Sequence, residues 1–419
     1  MPRVELLAPA GDLDKLQLAL LYGADAVYLG GEQFGLRAPA GTFSLPLLRQ
    51  ALELAHGCGR KLYLTLNAYL HAGEMAQLDA YLESLRPLTL DAYIVSDPGV
   101  LSRVRAIDPQ REIHLSTQAN TLNGPACEFW RTQGVARVNL GRELSLADLR
   151  LIRSQTTVEL EAFVHGALCV AYSGRCLLSS ALTGRSANAG ACAQPCRWNY
   201  AVVEETRPGR YFPIEEDARG TYLFNSEDLC RLDALPQLLA SGIDSCKIEG
   251  RMKTLYYVAA VTRVYRAAID AWCADPIGYV ADPQWRAELD KVSHRPYISD
   301  LPAGSAAVHR EDSRYRQSHD FLAIVRAVAA DGRVLVEGRN RFAADEQVEV
   351  IGPAMRTLPW PLSGAEDEAG QPCQLIQPNA RVWLRPPAPL QVGDLLRRER
   401  PVDAGWRLAD GAGKKLSPQ

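Results

Sequence analysis

VELLAPAGDLDKLQLALLYGADAVYL, residues 4–29, decides the fold. Its first six residues are apolar around a single glutamate and read as a strand. Leu16, Leu18, Leu20 and Leu21 then mark a helical pattern over residues 13–22, and Gly23 stands where a left-handed cap ends a helix. Residues 26–29 open the next strand. The theme recurs at 61–67, 92–96, 113–117, 138–140, 160–164 and 245–249, with helix patterns such as 45–58 and 75–85 between and Gly57, Gly134 and Gly242 at helix ends. Eight strands alternating with helices predict an α/β fold, a TIM-like (β/α)8 barrel.

In such a barrel the reactive groups gather where the strands end on one open face. Residues expected there are Arg37, Asn67, Asp97, Gln118, Asn120, Arg142, Glu143 and His165, joined by Glu249 and Arg251 from the last unit. Taken singly, each also reads as a helix cap, a loop hydrogen bond or a surface ion pair. Their clustering is what points to a site.

The alternation fails over about 169–222, a cysteine-rich insertion read as a lid on the barrel domain of residues 1–274, which closes with a helix after Arg251. Residues 275–319, rich in Pro, Asp, Ser and Arg, read as a linker or arm. Runs at 321–328, 333–337, 347–351, 380–384 and 394–398 predict a small antiparallel β-barrel over 320–402, followed by a tail, 403–419. Its arginines, Arg326, Arg333, Arg339, Arg341, Arg397, Arg398 and Arg400, suit either contacts to RNA phosphates or a domain that only stiffens the barrel.

The 419 residues exceed what one core usually serves, and 47% apolar with 23% charged residues is ordinary for a soluble protein. No segment has the length and apolarity of a membrane span, and the N-terminus lacks the pattern of a signal peptide, so a cytoplasmic location is expected. A net charge of −3 argues against a general nucleic-acid coat but permits local basic patches.

Ten cysteines in such a chain are not a disulfide framework. Cys169, Cys176, Cys192, Cys196 and Cys230 follow the pattern C-x6-C-x15-C-x3-C-x33-C, whereas Cys58, Cys127, Cys246, Cys273 and Cys373 are scattered. Four thiolates satisfy zinc or a four-iron cluster equally well. Structural zinc usually shows two tight hairpins and only Cys192 and Cys196 are close, so the spacing favours iron–sulfur, with reduced structural or redox cysteines as the remaining reading. The fourth ligand is either Cys196 or Cys230.

EAFVHGALC (161–169), YSGRCLLS (172–179), ELLAPAG (5–11), LSTQAN (115–120), ACAQPCRW (191–198) and KIEGRMK (247–253) together resemble the signature of the collagenase-like U32 peptidase family. The small C-terminal barrel is similar to that of the branch acting on tRNA. The resemblance implies hydroxylation of wobble uridine to 5-hydroxyuridine in the tRNA anticodon loop, an iron–sulfur cluster (4Fe-4S), and prephenate as a dicarboxylate co-substrate. It places the cluster on Cys169, Cys176 and Cys192 with a fourth cysteine that differs between branches, so Cys196 and Cys230 both stay open. Relatives that hydroxylate ubiquinone precursors or ribosomal RNA supply the alternative.

The peptidase label implies a different chemistry. The sequence has neither an HExxH pair nor a GxSxG elbow, which leaves only a thiol activated by His165. For a dicarboxylate, bidentate arginines are the natural holders, and Arg37, Arg142 and Arg251 are the candidates. Lys247 and Lys253 are weaker ones, and Glu249 and His165 are candidates to move protons.

Overall fold

A computed structural model describes residues 4–36, 42–168, 178–185, 192–193, 195, 225–299 and 315–400, with short strand pieces at 202–203, 211–212, 216–217, 220–221 and 308–309. Arg37, Cys169, Cys176 and Cys196 lie outside the described residues.

Seven strands run in chain order, β1 (Glu5–Pro9), β2 (Ala26–Gly30), β3 (Lys61–Leu66), β4 (Ala92–Val95), β5 (Glu112–Leu115), β6 (Arg137–Asn139) and β7 (Glu159–Ala167), followed by β8 (Asp228–Cys230) and β9 (Ser245–Ile248). Each of β1 to β6 pairs in parallel with the next. Strand β9 pairs in parallel with both β7 and β1, which closes the predicted eight-stranded barrel. Helices α1 (Leu13–Leu21), α2 (Leu45–Gly57), α3 (Met75–Leu85), α4 (Pro98–Ile107), α5 (Gly124–Thr132), α6 (Leu146–Gln155), α7 (Leu235–Ala240) and α8 (Leu255–Ala274) surround it. Their starts are coded locally. Asp12 accepts from Lys15 N at the head of α1, and Ser145 and Asp148 form a reciprocal capping box on α6.

Strand alternation divides the barrel walls. Leu6, Val27, Leu29, Leu62, Leu64, Val95, Val138, Leu160 and Val164 point outward and join the helices in one large core. The inward set is mixed, since Leu7, Ala26, Tyr28, Tyr63, Ala92 and Ile94 form a separate cluster beside buried Glu161 and Lys247.

Strand β7 is longer than its sequence suggests. Its last residues leave the barrel and pair antiparallel with β8, Ala167 opposite Asp228 and His165 opposite Cys230. Strand β8 in turn pairs with β10 (Tyr297–Ile298). The stretch read as a linker also carries helix α9 (Pro283–Leu289), started by Asp282 with Pro283 in its first turn.

The C-terminal unit is an antiparallel sheet in the order β14–β13–β18–β11–β12–β17–β15–β16. Its strands are β11 (His319–Val328), β12 (Val334–Gly338), β13 (Gln347–Ile351), β14 (Thr357–Pro361), β15 (Ala365–Asp367), β16 (Pro372–Cys373), β17 (Arg381–Leu384) and β18 (Leu395–Glu399). It encloses its own core around Val325, Val336, Phe342, Val350, Trp360 and Leu396. The sheet docks on α1, α8 and α9. Tyr22 donates to the Ile351 and Gly393 carbonyls at 2.9 and 3.1 Å, and Arg263 donates to the Arg356 carbonyl at 2.9 Å. No described helix is long and apolar enough to cross a membrane.

Candidate active site at the strand ends of the barrel

Charge enters the barrel from its closed end. Arg137 on β6 bonds Glu5 on β1, donates to Glu159 at 2.9 Å and lies 3.6 Å from Glu161 on β7. Tyr63 donates to Glu5 at 2.6 Å. Burial opposes ionisation of Glu5, but the Arg137 charge together with hydrogen bonds from Arg137, Tyr63 and Ser245 outweighs it and holds the carboxyl below its usual range. One layer up, Lys247 donates to Glu161 at 2.8 Å, and its ammonium sits 4.5 Å from the centre of the Tyr28 ring.

Above this layer lies the open end. Arg142, just past β6, stacks its guanidinium 4.0 Å from the centre of the Phe163 ring. It donates to the Ala167 carbonyl at 3.0 Å and approaches Glu249 at 3.7 Å. Its Nε is buried and has no hydrogen-bond partner among the described residues. Such an orphan donor is costly in a closed interior and natural where an anionic ligand completes it. Tyr28 reaches up to the same place, donating to the Ile248 carbonyl at 3.0 Å with the Glu249 carboxylate at 3.4 Å. Arg142, Phe163, Tyr28, Lys247 and Glu249 are thus one cluster beneath the barrel mouth.

Arg251 belongs to the same rim but is engaged by backbone and hydroxyl. It donates to Thr65 Oγ1 at 3.2 Å and to the Leu36 carbonyl, fixing the loop after β2. A Cβ at Gly30 would stand 2.5 Å from its Nη1, so that glycine is required for the approach. Lys253 points elsewhere, donating to the Ser293 carbonyl at 3.2 Å beneath the Tyr315 ring. Other rim residues shape loops. Asn67 accepts from Leu36 N, Asp97 caps α4 and accepts from Leu70 N, Gln118 accepts from Ser96 Oγ, and Asn120 takes φ 52°.

His165 lies within β7 rather than past its end. It is 1% exposed and ringed by Tyr257, Tyr265 and Tyr297, the last two with hydroxyls 3.4 and 3.5 Å from its nitrogens. Burial pushes its pKa down to about 3, so the ring is neutral. Cys230 is on the adjacent strand, fully buried, with its sulfur 3.8 Å from the Tyr265 hydroxyl and 3.7 Å from the Arg286 guanidinium. Burial raises its thiol pKa, a poor condition for a peptidase nucleophile. Leu168 donates to the Glu227 carbonyl at 3.4 Å, which ties the residue before Cys169 to the strand carrying Cys230. Cys192 is exposed. Among the described residues no three His, Cys, Asp or Glu side chains converge as metal ligands. The donor set fits a soft metal on its chemistry, several thiols in one sequence window with one of them, Cys230, buried beside a guanidinium.

The family model for U32 peptidases matches residues 11–309, and that for the family's C-terminal domain matches residues 317–397. The chain belongs to peptidase family U32. Similar relatives include tRNA hydroxylation protein P1 of Bacillus subtilis, 38% identical over 89% of this chain and 91% of that protein. Another is tRNA hydroxylation protein P of Escherichia coli, 33% identical over 94% of this chain and 96% of that protein. The Escherichia coli 23S rRNA 5-hydroxycytidine C2501 synthase is 40% identical over 64% of this chain but 40% of that protein.

For this U32 member, sequence reading missed Tyr28, Glu161 and Phe163. The signal was present, because all occupy the inward parity of their strands alongside Lys247. It also missed the buried pair Asp228 and Arg295, joined at 2.9 Å, which anchors β8 to the segment before β10. Six of the seven expected phosphate-facing arginines are engaged with carboxylates, Arg326 with Asp14, Arg333 with Glu366, Arg339 with Glu337, Arg397 with Glu288, Arg398 with Glu346 and Arg400 with Asp320, whereas Arg341 forms no ion pair among the described residues. Contacts from those six to RNA require these pairs to open.

Proposed function

We propose that this protein hydroxylates an RNA pyrimidine, specifically the wobble uridine of tRNA to 5-hydroxyuridine, with prephenate as co-substrate and an iron–sulfur cluster. Full-length similarity to relatives named tRNA hydroxylation proteins supports the tRNA reading. The observation that carries the site assignment is Arg142, a guanidinium at the barrel mouth with an unsatisfied buried Nε.

Arg142 orients one carboxylate of the co-substrate, its fork giving the geometry that a point charge lacks. Phe163 holds the guanidinium flat, and Glu249 with the Tyr28 hydroxyl holds a proton beside it. An anticodon loop already presents unstacked bases, so the target ring edge reaches the mouth at low cost. Cys169, Cys176 and Cys192 with Cys230 or Cys196 would hold the cluster, and the burial of Cys230 beside Arg286 favours Cys230. When bound, the cluster supplies one-electron chemistry.

The test is nucleoside mass spectrometry of tRNA from a strain lacking the gene, complemented with wild type or Arg142→Ala. Wild type restores 5-hydroxyuridine and Arg142→Ala does not, while the variant purified anaerobically keeps its broad visible absorbance. Unchanged 5-hydroxyuridine on deletion, in a strain without a second route, refutes the assignment. Loss of an rRNA 5-hydroxycytidine instead favours the ribosomal alternative.

A further inference from the structure

A cavity of about 630 Å³ lies beside the barrel mouth, between the loop that leaves β2 and helix α3. The loop at residues 31–36 is its inner wall, and Arg251 grips the far side of that loop through the Leu36 carbonyl. Phe34, Tyr69 and Tyr81 supply aromatic surface, while Glu32, Glu74 and Gln77 supply most of the polar edge. Among the described residues no Lys or Arg lines it. A dicarboxylate or a phosphate is therefore unwelcome, and a flat ligand that donates hydrogen bonds is suited.

Two features show that the cavity is built. Phe34 sits at φ 58°, a left-handed conformation that is unfavourable for an aromatic residue, and it is held there by a hydrogen bond of 3.0 Å from Ala68 N to its carbonyl. The Tyr81 side chain is 6% exposed, yet its hydroxyl, beneath the Glu32 and Gln33 backbone, has no hydrogen bond of good geometry among the described residues. A Cβ at Gly31 would stand 2.1 Å from that hydroxyl, so the glycine makes room for it. Tyr69 is fixed by donation to the Gln118 carbonyl at 2.8 Å, which presents its ring as a rigid surface.

We infer that this cavity receives a nucleobase bearing an exocyclic amino group, a neighbour of the base being modified. The inference rests on the RNA reading above. Aromatic faces stack any base, and the carboxylates and side-chain amides accept from an amino group, which uracil lacks. One loop separates this base from the mouth, so two nucleotides of one RNA loop are held at once, and the second sets which loop is accepted.

The test titrates the full-length protein with synthetic anticodon stem-loops made abasic at each loop position in turn, reading Kd by fluorescence anisotropy. Phe34→Ala weakens binding roughly 5- to 100-fold, the range of a lost base stack. Phe34→Tyr retains binding, which separates stacking from a collapsed loop. At one position carrying adenine, guanine or cytosine the abasic RNA shows the same loss, and Phe34→Ala adds nothing to it. Losses that add at every position, or that coincide only at a uracil, overturn the inference while leaving the RNA reading intact. Failure of the wild-type protein to bind any stem-loop sinks the RNA reading itself.

Discussion

Replacing Glu288 by glutamine tests how the two domains are held together. Its carboxylate, 4% exposed on α9, accepts from both terminal nitrogens of Arg397 on β18 and pairs with Arg263 on α8. Removing one charge from a buried ion group costs about 3–5 kcal/mol, because the partners are left uncompensated. Here the partners keep other contacts. Arg397 retains Glu349 at 2.9 Å and the Tyr256 hydroxyl at 3.0 Å, and Arg263 retains the Gly352 and Arg356 carbonyls. The loss expected for Glu288→Gln is therefore at the low end, about 3 kcal/mol. With a urea slope of roughly 3 kcal/mol/M this moves the unfolding midpoint down by about 1 M, followed by tryptophan fluorescence. The pH dependence has a definite sign. Burial opposes ionisation of Glu288, but hydrogen bonds from Arg397 and the charge of Arg263 outweigh it and lower its pKa. Its stabilisation is complete above the ordinary value of 4.5 and is lost as pH falls through the lower folded value. Glu288→Gln flattens that acid limb. A loss below about 1 kcal/mol, or one that simply adds to the loss from Arg397→Met, would falsify the coupling.

His165, with its pKa pushed down to about 3, stays neutral while the unfolded chain protonates near 6.5, so it destabilises the fold as pH drops below 6.5. His165→Gln removes that slope from urea midpoints measured between pH 4 and 7 (roughly the window set by these two values), and an unchanged slope contradicts the burial argument. Arg142→Lys keeps the charge but loses the fork, so the KM for the dicarboxylate rises about tenfold or more with kcat nearly intact. An unaltered KM in steady-state assays removes Arg142 from the binding site. Cys230→Ser purified anaerobically loses the visible absorbance of the wild-type protein, whereas Cys58→Ser, at an exposed site, keeps it. Full absorbance in Cys230→Ser returns the fourth place to Cys196.

The barrel was legible because its signal is local and repeated. An apolar strand, a capped amphipathic helix and a closing glycine recur, and each unit needs only its neighbours to be read. Helix α9 had a readable start in Asp282 and Pro283, overshadowed by the Pro-rich text around it. Strand β8 did not announce itself, since three residues carry no period and its pairing with β7 joins segments about sixty residues apart. His165 is inside a strand because β7 is paired there on both sides, with Ile248 of β9 and with Cys230 of β8. Among the site residues, Arg142, Glu249 and Arg251 were visible from position at strand ends, and Lys247 only as a weaker holder of a carboxylate. Tyr28 and Phe163 were not, because an aromatic residue in a strand reads as core until barrel closure shows which wall it faces.

The lumen chemistry gives the site its electrostatic logic. Inward positions of such barrels are usually filled by branched apolar residues, and this one instead threads Glu5, Arg137, Glu161 and Lys247 through its centre. Buried charges of this kind are weak sources of stability, since desolvation offsets most of their attraction. Their order carries the consequence. The carboxylates lie toward the closed end and each is matched by a cation, so the uppermost lumen charge is Lys247, directly under the layer of Phe163 and Arg142. Lys247 and Arg142 stack at the open end, each facing a carboxylate, Glu161 and Glu249, so what the mouth offers an anion is the unsatisfied Arg142 donor rather than a net positive field. The cavity beyond the 31–36 loop has a different character, with Glu32 and Glu74 and no cation among the described residues of its lining. A substrate carrying carboxylate or phosphate is therefore drawn to the mouth and kept out of the side cavity, while an amino-bearing base is accepted there. Reversing one member of this pattern, rather than deleting it, is the sharper probe: Glu74→Lys should repel the amino group at the side cavity while leaving dicarboxylate binding at the mouth unchanged.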